Sequence, residues 1–387
     1  MNEYKIGIDI GSNAIKIVIS ENIKKTEKPH ILHAIESPMH GFRHGYIVDA
    51  NSALKSIKFA IAKTEKISKL KIDRALFSIG GIGLSSQFVK TNINITNKDG
   101  EVNDYNIDEL VQKSEYLFSQ KYPNKKILHI IPVKYLVDGR DVLGSPIGMY
   151  GKKLEAKIIF VTILEHHYDA FISLIEQTGI TIQEDLIASP LADAEASANY
   201  AQKSQGCIIV NIGSETTSLA TFENNTLTSL HIKSIGSNSI TNDIALGLQI
   251  PLETAENVKK LKNKDYSKKK VEEIIQARLI DILEIIESHL KSIHKNRLLP
   301  AGIIFSGAGS KIEFLNDYTK KYLRLPTQNV SIVKYSKKTK RSSSIGEQFS
   351  IAYGLSFVKN VSFLKKSKLN MKKVKKMFSK FFNQIMP

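Results

Sequence analysis

The chain has 387 residues, 42% of them hydrophobic, 24% charged and only ten of them proline, which excludes a collagen-like, low-complexity or disordered protein and leaves room for about two domains. A single cysteine, Cys207, excludes a disulfide framework and a multi-cysteine zinc site, and with no long apolar run and no leader pattern at MNEYKIGIDIG the sequence reads as neither secreted nor membrane-spanning. Net charge is +17, yet residues 320–387 hold 17 Lys or Arg against one acid, Glu347, so the body before them carries +1, and a nucleic-acid groove spread over the fold is not expected.

The opening KIGIDIGSNAIKIVIS reads as two short β-branched strands around a tight DIGSN turn. Residues 51–69 then space Leu54, Ile57, Phe59, Ala60, Ile61 and Ile67 as a helix, and ALFSIGG follows as a buried strand, so the pattern is α/β. Between 82 and 166 the strand-like SSQFVKTNINIT precedes a helix that Asn106 could cap with Glu109 as its partner, followed by the strands ILHIIPVKYLV and LEAKIIFVTIL. HHYDAFISLIEQTG reads as a helix stopped by Gly179, and SPLADAEASANYAQ as one helix begun at Ser189 and Pro190. GCIIVNIGSETTSLATFE repeats the opening shape, so the chain contains two related halves. Helical material rich in Lys and Glu spans about 252–298, AGIIFSGAGS is a strand, KYSKKTKRSSS a solvated loop, and SSSIGEQFSIAYGLSFV a late helix.

The turns DIGSN, with Lys16, and NIGSETT place glycine and hydroxyls where two strands meet. Such turns expose backbone N–H groups and let a phosphate approach without Cβ interference. Each alone is equally an ordinary hairpin turn; the pair is what points to a polyphosphate.

On these residues the chain resembles the actin, Hsp70 and sugar-kinase superfamily and, within it, the FtsA family of bacterial cell-division proteins. Asp9, Gly11, Ser12, Asn13 and Lys16 match the first phosphate loop, and Asn211, Gly213, Ser214, Thr216 and Thr217 the second. IKSIGSNSITNDIA, with Gly236, is similar to the segment after that loop, AENVK, with Glu256 and Lys259, to the nucleoside-contacting helix, and FSGAGSKI, with Gly307, Ala308 and Lys311, to the adenosine motif. HIIPVKYLVD and GSPIGMYGKKLEAKIIFVT resemble the family's own inserted subdomain.

The resemblance implies an actin-like, ribonuclease H-like duplicated α/β fold. Subdomain 1A would be 1–81 and 167–193, the insert 1C 82–166, subdomain 2A 194–244 and 301–333, subdomain 2B 245–300, a basic loop and closing helix 334–360, and a linker with an amphipathic helix 361–387. It further implies ATP and Mg²⁺ as cofactors, with Asp9 and Asn211 holding the cation through water. The expected partners are the C-terminal peptide of the tubulin-like protein FtsZ on 2B, further copies of the chain in filaments, later division proteins and anionic lipid, with no nucleic acid. Asn211 stands where the superfamily usually has aspartate, and asparagine cannot carry that negative charge. ATP binding with at most weak ATPase activity is therefore expected, and Asn211→Asp should raise turnover. Rival readings are a pilus-assembly relative and a small-metabolite kinase of the same fold.

In the tail KKSKLNMKKVKKMFSKFFNQIMP, at about 100° per residue, Met371, Val374, Met377, Phe378, Phe381, Phe382 and Ile385 fall within an arc of about 140°. Lys372, Lys373, Lys375, Lys376 and Lys380 fill the rest. This describes an interfacial helix on anionic lipid, or else one docked on the protein's own core. The reading is thus of a peripheral protein on the cytoplasmic face of the inner membrane at the division site. His166 and His167 are expected at the surface, Gly80, Gly81 and Gly83 in a strand-ending turn, and Cys207 in the core.

Overall fold

A computed structural model describes residues 4–22, 28–260, 265–336 and 341–360. The chain divides into two compact units, one drawn from Met1–Gln87, Asn124–Leu128 and Ile159–Ser362, the other from Phe88–Pro123 and His129–Ile158. The tail reading falls on residues 361–387, outside the described ones. Among the described residues no helix is long and apolar enough to cross a membrane.

The first unit is built twice on one strand plan. Tyr4–Ile10, Ala14–Glu21 and His30–Pro38 form an antiparallel meander, and Arg74–Ile79 joins the first of them in parallel, with Thr181–Ile182 beyond it. Cys207–Ile212, Thr217–Glu223 and Thr226–Lys233 repeat the meander, and Gly302–Ser306, then Thr327–Asn329, join it in parallel on the equivalent side. The first strand of each half is buried on both faces; Cys207–Ile212 accordingly reads as a near-continuous apolar run, whereas Tyr4–Ile10 alternates Ile6, Ile8 and Ile10 with Lys5, Gly7 and Asp9.

Helices on these sheets fix where polar groups point. Ser189–Ser197 packs on Ser350–Gly354 so closely that a Cβ on Gly354 would run into the Ala192 backbone carbonyl. The single helix expected over 189–202 is two helices, because Asn199 adopts an extended backbone and caps Tyr200–Gln205, its side chain accepting from the Gln202 N–H at 2.9 Å. The helical stretch expected at 252–298 is likewise Leu252–Lys259 and Lys268–Ser292. These two pack with Ser237–Leu248 around Ile240, Ile244, Val258, Ile275, Leu279, Ile282 and Ile286. Each such buried side chain contributes about 1.5–3 kcal/mol, more than the 0–1 kcal/mol or so of the surface ion pairs beside them.

The expected basic loop is a hairpin, Val333–Ser336 pairing with Arg341–Ser344, since backbone pairing needs no apolar side chains. The late helix is also shorter than expected. Gly346 has φ +98°, a left-handed value that no helix continues through, so only Glu347–Phe349 and Ser350–Gly354 follow as helical turns, with Leu355–Asn360 after them.

In the second unit Asp104–Lys121 is the helix, and its cap is Asn103 rather than Asn106. Asn106 instead takes the third position and bonds back, each side chain accepting the other's backbone N–H at 3.1 Å. Ile93, Leu110, Phe118, Leu154 and Ile158 are among its buried apolar residues.

Candidate functional site

The two glycine turns share one hydrogen bond. Gly11 N–H donates to Ala14 O at 3.1 Å, and Gly213 N–H to Thr216 O at 2.8 Å. The pairing registers agree too, Asp9 opposite Lys16 and Asn211 opposite Ser218. A Cβ on Gly11 would meet Ala14 O at 3.1 Å and Lys16 Nζ at 3.3 Å, and one on Gly213 would meet Thr216 O at 3.0 Å. Lys16 is half-buried, and among the described residues its amine closes no ion pair within 4 Å.

One segment touches both turns. Gly45 N–H donates to Ser12 Oγ at 2.9 Å, and His44 N–H to Glu215 Oε2 at 2.6 Å. Asn13 is exposed, its carbonyl accepting from Met39 N–H at 3.1 Å. Neither His44 nor Gly45 was legible as part of the site, since nothing local in FRHGYIV marks it.

Asp9 is buried and accepts from Ser78 Oγ at 2.8 Å. Burial pushes its pKa up, the Lys16 ammonium and the Ser78 bond pull it down, and Asp193 pushes it up again. Asp193, which no sequence motif singled out, is fully buried on the helix Ser189–Ser197. Its Oδ2 accepts from Asn211 Nδ2 at 2.8 Å and Ser306 Oγ at 2.5 Å, and its Oδ1 from Ser197 Oγ at 2.6 Å.

Gly236 stands against the second turn, where a Cβ would lie 2.6 Å from the Ser214 carbonyl oxygen. The helix after it starts by donating Ser237 N–H to Gly213 O at 2.9 Å and Asn238 N–H to Ser214 O at 2.7 Å. Thr217 is fully buried with its hydroxyl on Ile235 O at 2.7 Å, while Thr216 is partly exposed. Glu256 and Lys259 come together at 2.6 Å, both bonded to Thr241 Oγ1 at 2.7 Å. Burial raises the Glu256 pKa, but bonds from Lys259, Thr241 and Lys260 outweigh it and hold the carboxyl below its usual value. Burial lowers the Lys259 pKa against that same pairing. Gly307 has φ +78° and Ala308 opens a single helical turn ending at Lys311, whose amine lies 3.0 Å from Glu347 Oε2.

The remaining candidates sort differently. His167 is buried and not at the surface, its Nε2 3.1 Å from Gly80 O; the helix Glu165–Glu176 carries it inward while its neighbour His166 stays exposed. Gly80 and Gly81 do end the strand Arg74–Ile79, and Cys207 is buried, its thiol pushed up to about 11.

The residues fit a nucleotide polyphosphate. Two turns expose backbone without side chains, a cationic amine stands beside one of them, and a buried carboxylate lies below. Asp9 and Asn211 offer oxygen atoms, the ligand type that suits Mg²⁺ held largely on phosphate and water, and among the described residues no three carboxylate, imidazole or thiolate groups gather as a direct cage. Such a cation would neutralise phosphate charge, with Asp9 and Asn211 the side chains that would bond its waters.

Comparison with known proteins gives the family and the fold. Residues 81–162 match the model described as "SHS2 domain inserted in FTSA" and residues 208–354 the model described as "Cell division protein FtsA", together well over half of the chain. The chain is 26% identical over 330 residues to the cell division protein FtsA of Bacillus subtilis, covering 79% of this chain and 73% of that one. It is 20% identical over 377 residues to that of Escherichia coli, covering 88% of each. Among solved structures, a chain of the PilM-PilN type IV pilus biogenesis complex aligns with TM-score 0.68 at 14% identity, over 92% of this chain and 99% of that one. MreB5 of Spiroplasma citri bound to ADP aligns with TM-score 0.51 at 13% identity, over 92% and 97%. The fold is actin-like, with the inserted SHS2 domain.

Proposed function

The chain belongs to the FtsA family of cell-division proteins, and from that premise we propose that it binds ATP with Mg²⁺ between its two halves, polymerises, and holds the FtsZ ring at the cytoplasmic face of the inner membrane. The observation that carries the nucleotide reading is the matched pair of glycine turns, each closed by the same hydrogen bond, with Lys16 beside one of them. That a protein of this fold has been captured with ADP supports it. Nucleotide state would bias the angle between halves through differential contacts, and so the polymer, without needing fast turnover.

The partner reading has its own support. Arg297, Lys321 and Arg324 stand with Tyr318 and Tyr322 around a hollow at the second half, a cationic, aromatic-rimmed surface that suits a partner peptide ending in a carboxylate. The membrane reading rests on the segregated faces of residues 371–385 and the massed lysines beside them.

Equilibrium dialysis of the protein with ATP in Mg²⁺ tests the site: saturable binding is expected, and no binding would sink the reading. Pilus assembly is favoured by one observation, the fold match to the PilM-PilN complex. At 14% identity that match speaks for the fold, and filamentous cells on depletion would separate division from pilus assembly.

A further inference from the structure

We infer that Asp193 supplies, from the helix Ser189–Ser197, the negative charge that position 211 lacks, acting as a positioning residue that fixes which way the Asn211 amide faces. The inference rests on the nucleotide reading above.

Three observations meet at this carboxylate. First, Asp193 is fully buried and, among the described residues, has no Lys, Arg or His within 4 Å; its bonds come from the neutral groups of Asn211, Ser306 and Ser197. These three donors satisfy the buried carboxyl and bring no positive charge of their own. Asp193 also acts on Asp9, as the smallest of the influences that raise or lower the pKa of that carboxyl.

Second, the bond fixes which way Asn211 faces. Only Nδ2 can donate to a carboxylate, so Oδ1 is turned away from Asp193, toward the backbone at Gly307, where a Cβ would lie 2.6 Å from it. An amide whose N–H is bonded to a carboxylate is polarised, and its oxygen becomes a stronger acceptor. The pair therefore presents an acceptor oxygen with one negative charge held directly behind it.

Third, the strands aim at the helix. Asn211 and Ser306 are register partners on adjacent parallel strands, and both donate to the same oxygen of Asp193. The charge sits on the helix and the amide on the strand, joined by the 2.8 Å bond.

This reverses the expectation for Asn211→Asp. Alone, that change sets two carboxylates against each other across a 2.8 Å contact in a buried place, which destabilises the protein instead of repairing it. Exchanging the pair, Asp193→Asn with Asn211→Asp, keeps one charge and one amide.

The test compares the parent, Asp193→Asn, Asn211→Asp and the double exchange by two measurements. These are ATP affinity in Mg²⁺ relative to EDTA, and the thermal midpoint without nucleotide. Asp193→Asn should reduce the Mg²⁺ enhancement roughly 10- to 100-fold, the range for groups that orient metal ligands, with the EDTA affinity kept. Asn211→Asp should lower the midpoint, and the double exchange should restore both quantities. An unchanged Mg²⁺ enhancement in Asp193→Asn, with only the midpoint lowered, would make Asp193 a structural residue and overturn the inference. Should Asp193→Asn not fold, Asn211→Asp against the double exchange carries the comparison, and no recovery in the double exchange overturns it. A parent that binds no ATP in either medium fails the nucleotide reading itself, and the inference falls with it.

Discussion

Lys16 folds back over the first glycine turn until its Nζ would be 3.3 Å from a Cβ on Gly11. A side chain at position 11 would therefore displace the amine and cover backbone N–H groups at once. Gly11→Val, and Gly213→Val against Thr216 O, should each lower ATP affinity at least about tenfold, or about 1.4 kcal/mol, with the circular dichroism of the parent. Parental affinity in both variants would return the turns to ordinary hairpins.

The Glu256–Lys259 pair makes a prediction about acid. Because the folded carboxyl titrates below the usual 4.5, the stabilisation it gives is present at neutral pH and lost as pH falls below that value. Glu256→Gln should lower the thermal midpoint at pH 7 and flatten its decline between pH 5 and 3. A parallel decline in both proteins would show that the pair adds nothing to stability.

His289 acts with the same sign over a higher window. Burial, with His231 and Lys233 nearby, pushes its pKa from 6.5 down to about 4, so the unfolded chain takes up a proton that the folded one refuses. Stability should fall as pH drops from about 6.5 to 4, by about 1.4 kcal/mol for each tenfold difference in proton affinity between the folded and unfolded chain. His289→Gln should remove part of that slope in urea unfolding at pH 5 and pH 7. An identical pH dependence in the two proteins would place the slope elsewhere.

The turns and the duplicated halves were legible because their signal is local: an apolar run, a polar residue, Ile-Gly-Ser, and another apolar run, twice. Asp193 was not, because PLADAEA reads as any helix and its partners Asn211 and Ser306 lie 18 and 113 residues away. His44 and Gly45 were hidden for the same reason, bonding to Glu215 and Ser12 across the fold. At Val333–Ser336 and Arg341–Ser344 the lysines and serines suggested a loop, although strand pairing depends on backbone bonds that composition does not display. His167 shows the limit of reading two adjacent histidines as one surface feature, since a helix turns consecutive residues about 100° apart and only one of them met the core.

If the tail lies on anionic lipid as proposed, Phe381→Glu removes buried apolar area and adds repulsion from the headgroups, whereas one lysine near the surface contributes at most about 1 kcal/mol. Phe381→Glu should move the protein from membrane to soluble fraction while Lys376→Ala moves little of it, with ATP binding kept in both. Equal membrane fractions for parent and Phe381→Glu would mean that the apolar face does not meet lipid.

The central claim, a nucleotide-bound tether between FtsZ and the membrane, is met most directly by co-sedimentation of purified FtsZ with anionic lipid vesicles in the presence of Mg²⁺ and ATP. FtsZ should pellet with vesicles when the full chain is added, and stay in solution with the chain cut after Lys365 or with FtsZ lacking its C-terminal peptide. FtsZ that remains in solution with the full chain, or pellets equally with the cut one, would contradict the account.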